Sequence, residues 1–271
     1  MADAIFADAI METPVFQIAL IFGAAFAAGL INSVAGGGTL VSFPTLLWIG
    51  RDPIIANATN AVALWPGSLA GMVGFRRELA GSRRWMILLG APSFAGGLVG
   101  AVLLLLTPSQ TFSAIVPYLI LFATLLFIAG EPINKRLRRS NIESADSSID
   151  PGRAWWTGAV IFQFFVAVYG GYFGAGIGIM MLAALSLLGL SDIHRMNGLK
   201  NFFALSINGV AAAYFIWSGA VLWDDAIVMA AGAIAGGYGG AGLARKLGRS
   251  FVRRAVIVIG LAMALSLLFR R

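Results

Sequence analysis

Residues 29–40 read GLINSVAGGGTL, and a second glycine-rich stretch, GYFGAGIG, occupies residues 171–178. Each interrupts an apolar run, the first from Phe16 to Trp48 and the second from Trp155 to Leu190. One straight helix over the first run would be about 50 Å long, whereas the hydrocarbon core of a bilayer is about 30 Å thick. We therefore predict two helical arms that meet at each glycine break, either as a re-entrant hairpin or as a tight pair of spans.

The rest of the chain is apolar enough for a membrane protein. Of its 271 residues, 59% are hydrophobic and 11% are charged, far fewer charges than a soluble domain carries. The apolar runs are continuous rather than alternating, which favours helices, because a helix satisfies its own backbone in lipid. We predict an all-α polytopic membrane protein. The further runs are Ile54–Phe75, Trp85–Leu106, Phe112–Ala129, Phe202–Trp217, Ala226–Leu243 and Ala255–Phe269.

The two halves of the chain match at a constant shift of 140 residues without gaps. Matches of Asp and Asn at the same shift favour duplication over chance agreement of common glycines, and internal repeats are typical of secondary transporters. Each half is predicted to hold one glycine-broken helical hairpin and three transmembrane helices. The matched pairs include Gly36 and Gly176, Gly38 and Gly178, Asp52 and Asp192, and Asn57 and Asn197. The predicted divisions are an N-terminal extramembrane segment (1–15), a first transmembrane repeat (16–130), a cytoplasmic linker (131–153) and a second transmembrane repeat (154–271).

The distribution of basic residues sets the predicted orientation. Most of the 19 lysines and arginines lie in Arg76–Arg84, in the linker 131–153 and in Arg245–Arg254, which places these segments in the cytoplasm. Asp224 and Asp225 have no base nearby in the sequence and are expected outside. The first broken segment then enters from outside and the second from inside, which makes the repeats inverted. Both termini are expected outside.

The two breaks are predicted to bind an anion. A broken helix exposes backbone N–H groups and the positive end of its dipole at the start of its second arm. Two such ends facing one cavity favour negative charge. The alternative is that the glycines only let helices pack closely. The candidate residues are Asn32, Ser33, Gly36, Gly37, Gly38, Thr39 and Ser42 at the first break, and Tyr172, Gly174, Gly176 and Gly178, with Tyr169, at the second.

The helices that follow the breaks add polar groups to this candidate site. Lys200 is a basic residue within an otherwise apolar stretch. An ionisable group inside a membrane indicates function, but a lysine can also extend its ammonium to the interface, and both interpretations stay open. The candidates on these helices are Asn57, Thr59 and Asn60 in the first repeat, and Asn197, Lys200 and Asn201 in the second.

Several function classes are disfavoured by the residues present. The chain has no cysteine and one histidine, so thiol chemistry and a multi-histidine metal site are excluded. All 12 acidic residues fall in the N-terminus, loops or helix ends, which leaves no carboxylate for a mid-span cation site. Asp52 and Asp192 are predicted to cap helices. No P-loop motif and no cofactor site is found, and basic residues clustered in loops argue against nucleic-acid binding.

Two further patterns are assigned to packing and anchoring. The glycines Gly96, Gly97, Gly236 and Gly237 form small-residue patterns that are typical of close helix packing. Most tryptophans stand near the ends of apolar segments, where they would anchor the protein at the membrane interface. These are Trp48, Trp65, Trp85, Trp155, Trp217 and Trp223.

The order and spacing of these motifs resemble the TauE/SafE sulfite exporter family. The resemblance rests on residues 29–40, Pro44 and 58–60, and in the second half on 171–178 and 197–201. It covers nearly the whole chain after about residue 15. It implies a multi-pass permease of the bacterial cytoplasmic (inner) membrane that moves sulfite or organosulfur anions such as sulfonates.

We expect a secondary transporter that exports such an anion by alternating access, with the anion bound at mid-membrane between the two breaks. The alternative is an anion channel or a non-transporting membrane scaffold. An enzyme is disfavoured because no nucleophile–base pair is visible. The expected partners are a small anionic substrate and the lipid bilayer. The sequence leaves open the anion, the direction of transport, a coupling proton or sodium ion, and a homo-oligomer.

Overall fold

The computed structural model describes residues 13–34, 37–74, 79, 81–143, 153–188, 190, 192–247 and 249–269. These residues form ten helices and no strand. The helices are α1 (Pro14–Val34), α2 (Thr39–Trp48), α3 (Pro53–Gly74), α4 (Arg83–Leu106), α5 (Ser109–Glu143), α6 (Arg153–Tyr172), α7 (Ile177–Leu187), α8 (Ile193–Trp217), α9 (Trp223–Leu247) and α10 (Arg249–Phe269).

Four stretches within the described residues are long and apolar enough to cross a membrane. They are Pro14–Asn32, Arg83–Leu106, Ser109–Gly130 and Arg195–Trp217. Large apolar side chains point outward along several helices; the side chain of Phe165, for example, is 64% exposed. Such an exterior suits lipid rather than water. The prediction of an all-helical, multi-pass membrane protein is confirmed at this level.

Each glycine break joins a long helix to a short one. In the first half, α1 has 21 residues and α2 has 10. In the second half, α6 has 20 residues and α7 has 11. At 1.5 Å per residue the short arms extend only about 15 Å, half the hydrocarbon thickness. Neither short arm is long enough to cross a bilayer by itself.

Glycines allow the closest helix contacts, as the small-residue pattern predicted. A Cβ atom on Gly96 would lie 2.5 Å from the Phe164 carbonyl oxygen, which brings α4 against the backbone of α6. In the same way Gly236 of α9 lies against the Phe26 carbonyl of α1. Gly237 differs, because a Cβ atom there would meet nothing within 4 Å. The packing prediction is therefore confirmed at Gly96 and Gly236 and is wrong for Gly237, which faces away from its neighbours.

Two aspartates cap the helices that follow the broken segments. Asp52 Oδ1 accepts hydrogen bonds from the backbone N–H groups of Ile54, at 2.9 Å, and Ile55, at 3.1 Å. Asp192 Oδ1 accepts one from the N–H of Arg195 at 3.4 Å. These three bonds satisfy donors that a first helical turn leaves without partners. The capping predictions are confirmed.

An arginine lies beside Asp225, at the end of the molecule that the sequence predicts to be outside. Arg51 lies in the turn between α2 and α3, and its Nε donates to Asp225 Oδ2 at 2.7 Å. A second bond joins Arg51 Nη2 to Asp225 Oδ1 at 3.2 Å. The hydrogen bond to the Asp225 carboxylate raises the pKa of the Arg51 guanidinium above its ordinary value. Asp225, which has no base near it in the sequence, thus has one beside it in the fold, because Arg51 lies at the start of α9.

Trp65 does not have the predicted role of an interface anchor. It lies within α3, and its Nε1–H donates to the backbone carbonyl of Leu205 on α8 at 3.2 Å. The ring sits against Gly209 of the same helix, where a Cβ atom would approach Nε1 to 2.9 Å. Trp65 therefore packs α3 on α8. Trp217, 82% exposed at the end of α8, does fit the expected anchoring position.

Candidate functional site

The first break is capped by a side chain from its own long arm. Asn32, in the last turn of α1, accepts a hydrogen bond from the backbone N–H of Gly38 through Oδ1 at 2.8 Å. Gly37 has a φ of 92°, in the left-handed region that glycine adopts readily. The Gly38 N–H group, which the sequence predicted to face an anion, is thus used by Asn32. Gly36 and the Ser33 side chain lie outside the described residues.

A buried polar pair joins the short arm α2 to α3. Ser42 Oγ donates to Asn60 Oδ1 at 2.5 Å, and Ser42 is also 3.3 Å from the Gly38 carbonyl oxygen. Ser42 and Asn60 are both almost fully buried. Thr39, at the start of α2, is half-buried. The sequence analysis placed Ser42 at the first break and Asn60 on the helix that follows it, and the fold brings the two side chains into contact.

The second break is tied to the first repeat by an asparagine. Asn57, near the start of α3, donates from Nδ2 to the carbonyl oxygen of Tyr172 at 2.9 Å. Tyr172 ends α6, directly before Gly174 and Gly176, whose φ angles are 82° and 83°. Tyr169 donates its hydroxyl to the Ala175 carbonyl at 2.8 Å. Side chains from both halves therefore satisfy carbonyl groups that the broken helix leaves open.

The two breaks meet the same turn of α5. A Cβ atom on Gly37 would lie 3.1 Å from the Phe127 ring. A Cβ atom on Gly176 would lie 3.5 Å from Leu126 and 3.6 Å from the Ala123 carbonyl oxygen. Residues four apart on a helix are about 6 Å apart along its axis. The breaks are thus neighbours in space.

An aromatic contact joins the two broken segments. Phe43 of α2 packs edge-on against Phe173 of the second break, with ring centroids 5.4 Å apart. Both rings are buried. Sequence reasoning did not select Phe43, Phe173 or Phe127, because an apolar side chain in an apolar run carries no signal that distinguishes a site from lipid-facing surface.

Lys200 lies beside the second break. A Cβ atom on Gly178 would lie 3.3 Å from Lys200 Cδ and 3.9 Å from Cε, so the lysine stem crosses the start of α7. Lys200 is half-buried, as are Asn197 and Asn201 on the same helix α8. The place of Lys200 in an anion site stays a prediction.

Thr59 has a different place from the other candidates. It is fully buried, and its Oγ1 accepts a hydrogen bond from the backbone N–H of Leu222 at 3.0 Å. Leu222 directly precedes α9, so Thr59 stabilises the start of that helix from α3. The Thr59 hydroxyl therefore makes a structural contact. No group of metal-ligating side chains forms within the described part of the chain.

The family model described as Sulfite exporter TauE/SafE matches residues 21–267. The chain belongs to the TauE/SafE sulfite exporter family. This confirms the resemblance seen in the motifs, and it identifies a membrane transporter family rather than an enzyme family.

Curated bacterial relatives cover almost the full chain. A probable membrane transporter protein of Haemophilus influenzae is 28% identical over 262 residues, which are 96% of this chain and 97% of the relative. The probable membrane transporter protein ORF9 of Sinorhizobium sp is 29% identical over 93% of this chain and 92% of its own length. The probable membrane transporter protein YfcA of Escherichia coli is 28% identical over 93% and 90%. No solved structure matches the chain significantly.

Proposed function

We propose that this TauE/SafE member is a secondary transporter that exports sulfite or a small organosulfur anion such as a sulfonate. The observation that carries the proposal is the position of Lys200, whose stem crosses the start of α7 at the second break. We place the protein in the bacterial cytoplasmic (inner) membrane, with both termini outside and the segment 131–153 in the cytoplasm.

The electrostatics at the start of α7 favour an anion. The first turn of a helix carries about half a positive elementary charge. An ammonium group beside that turn adds a second positive charge, and two like charges in a medium of low dielectric constant repel each other. A bound anion removes this repulsion and gains hydrogen bonds from both groups. These two positive groups support an anion site at the start of α7.

The packing of the halves supports alternating access through an inverted repeat. Trp65 and Leu205 are hydrogen-bonded and stand 140 positions apart, which is the shift that relates the two halves. Equivalent residues of two repeats touch only where they lie near a two-fold axis. Helices of each half also pack on helices of the other half. Helix α4 of the first half packs on α6 of the second, and α9 of the second half packs on α1 of the first. Such a pair of halves can rock about a shared axis, as inverted-repeat transporters do.

The proposed anion site lies between the two breaks, near mid-membrane. Lys200 supplies the charge, while neutral amides and hydroxyls and the backbone of the glycine breaks supply hydrogen bonds. Thr59 is kept as a supporting residue because of its bond to Leu222. The remaining proposed members are Asn32, Ser33, Gly36, Gly37, Gly38, Thr39, Ser42, Asn57, Asn60, Tyr172, Gly174, Gly176, Gly178, Asn197 and Asn201.

Flux measurements on purified protein in liposomes test the transport class. Sulfite, a sulfonate such as sulfoacetate, thiosulfate, sulfate and acetate would be compared as labelled anions. A carrier gives saturable flux and counterflow, in which an anion on one side accelerates exchange from the other. Flux that does not saturate and shows no counterflow would indicate a channel instead. Absence of flux for every anion in the panel, from protein that is folded, would reject the transport proposal.

Replacement of Lys200 tests the site. Lys200→Met keeps most of the side chain's bulk and removes its charge, so we expect anion affinity to fall about tenfold, or about 1.4 kcal/mol. Lys200→Arg retains the charge and should lose less anion affinity than Lys200→Met. The control is Arg254→Met, at an exposed position on α10, which should leave affinity unchanged. Equal affinity of wild-type and Lys200→Met protein would remove Lys200 from the site.

A further inference from the structure

A cluster of arginines and tryptophans forms around the start of α4, away from the glycine breaks. Arg83 and Arg84 are the first two residues of that helix, and both are exposed. Arg195, at the start of α8, reaches the same place: its Nε donates to Ser82 Oγ at 2.8 Å, and its Nη2 donates to the Gly81 carbonyl at 3.3 Å. Three guanidinium-bearing residues thus converge at one end of two helices.

One indole ring contacts one of these guanidinium groups, and a second indole packs against the first. Arg84 Cζ lies 5.3 Å from the centre of the Trp156 ring, within the range of a cation–π interaction. Trp156 in turn packs against Trp85, with ring centroids 4.9 Å apart. This contact orders an exposed arginine side chain that would otherwise sample many rotamers. A pre-ordered guanidinium loses less conformational entropy when it binds an anion.

The cluster lies at the depth of lipid phosphate groups. Two candidate membrane spans, Arg83–Leu106 and Arg195–Trp217, begin at residues of the cluster itself. Hydrocarbon therefore ends at this level, and the headgroup region begins there. Tryptophan pairs are also typical of this interface.

Within the part of the chain that the structure describes, positive charge exceeds negative charge at this cluster. Asp192 accepts the backbone N–H of Arg195 at 3.4 Å, so one carboxylate lies beside three arginines, and the salt bridge between Arg51 and Asp225 is at the start of a different helix. Three cations close together repel one another, so the arrangement favours an external anion. Arginine binds phosphate oxygens through two parallel N–H groups, which a lysine cannot reproduce.

We propose that the start of α4 binds the phosphate group of an anionic phospholipid of the surrounding leaflet, such as phosphatidylglycerol. Arg84 on Trp156 forms the ordered part of the site, and Arg83 and Arg195 border it. By the charge distribution this leaflet is the cytoplasmic one. The proposal does not depend on the transported substrate, because the ordered part of the site, Arg84 and Trp156, lies on α4 and α6, whereas Lys200 lies on α8.

Lipid binding by the full-length protein tests this site. Purified protein in a neutral detergent would be titrated with phosphatidylglycerol, phosphatidylcholine and inorganic phosphate, with lipid retention measured by native mass spectrometry. Arg84→Gln is compared with Arg254→Gln, since Arg254 is exposed and also begins an apolar helical stretch. Arg84→Gln should weaken phosphatidylglycerol binding about fivefold, the effect of about one interfacial basic residue. Arg254→Gln should leave it unchanged.

Three outcomes would overturn the proposal. Equal losses in Arg84→Gln and Arg254→Gln would mean that the basic surface attracts lipid without a defined site. Equal binding of phosphatidylcholine would mean that the net charge of the headgroup is not recognised. Competition by inorganic phosphate at the same concentration as the lipid would assign the cluster to a free phosphate. Trp156→Phe, which keeps an aromatic ring, should weaken binding less than Arg84→Gln.

Discussion

At the scale of single residues, the contact between Gly178 and Lys200 is the one that most directly concerns the proposed anion site. Gly178→Ala would place a methyl group 3.3 Å from Lys200 Cδ. A flexible stem can shift by a few tenths of an ångström, so the protein should fold, and alanine favours helix by up to about 1 kcal/mol. The shifted ammonium should lower anion affinity about threefold, as measured by titration.

The control for this prediction is Gly158→Ala on α6. Gly158 is exposed, and a Cβ atom there would meet nothing within 4 Å. The anion affinity of Gly158→Ala should equal that of the wild type. If Gly178→Ala also binds the anion like the wild type, the start of α7 is not part of the site.

At the scale of helices, two equivalent glycines differ in their surroundings. Gly97 of α4 faces α8: an added Cβ atom would lie 2.9 Å from Val210 Cγ1 and 3.0 Å from the Ile207 carbonyl oxygen. Its counterpart in α9, Gly237, would meet nothing within 4 Å. We expect Gly97→Ala to destabilise the protein by about 1 to 3 kcal/mol and Gly237→Ala to have no such effect. Unfolding in detergent with increasing dodecyl sulfate measures both; equal stabilities would contradict the packing of α4 on α8.

The ion pair between Arg51 and Asp225 connects the α2–α3 turn to the start of α9. Asp225 is 8% exposed and Arg51 is 33% exposed, so solvent screens the pair only in part. A double-mutant cycle of Arg51→Gln and Asp225→Asn should give a coupling energy of about 1 to 2 kcal/mol. The exposed neighbour Asp224, changed to Asn, serves as the control and should show no coupling to Arg51. Additive effects of the two primary substitutions would mean that the pair contributes nothing to stability.

At the scale of the whole molecule, the proposed orientation can be tested because the chain has no cysteine of its own. Gln110→Cys, exposed in the first turn of α5, should react with an impermeant thiol reagent added to intact cells. Ser144→Cys, in the linker and outside the described residues, should react only after the membrane is opened. Labelling of Ser144→Cys in intact cells would reverse the assigned topology.

The sequence alone determined the features that depend on near neighbours along the chain. Runs of apolar residues predicted the helices, because a backbone in lipid must bond within its own segment. The glycine breaks were located to within a few residues, and Asp52 was recognised as a helix cap because its bonds reach only Ile54 and Ile55. The family was also recognisable from the order of motifs.

Only the tertiary structure decided which distant groups meet. Arg51 and Asp225 are 174 positions apart, and Asn57 and Tyr172 are 115 apart. An apolar helix surface suits lipid and another helix equally well, so composition does not say which faces are buried or which partners they take. For the same reason Trp65 looked like an interface anchor, and the contact of the Lys200 stem with Gly178 became visible only once α8 was packed beside α7.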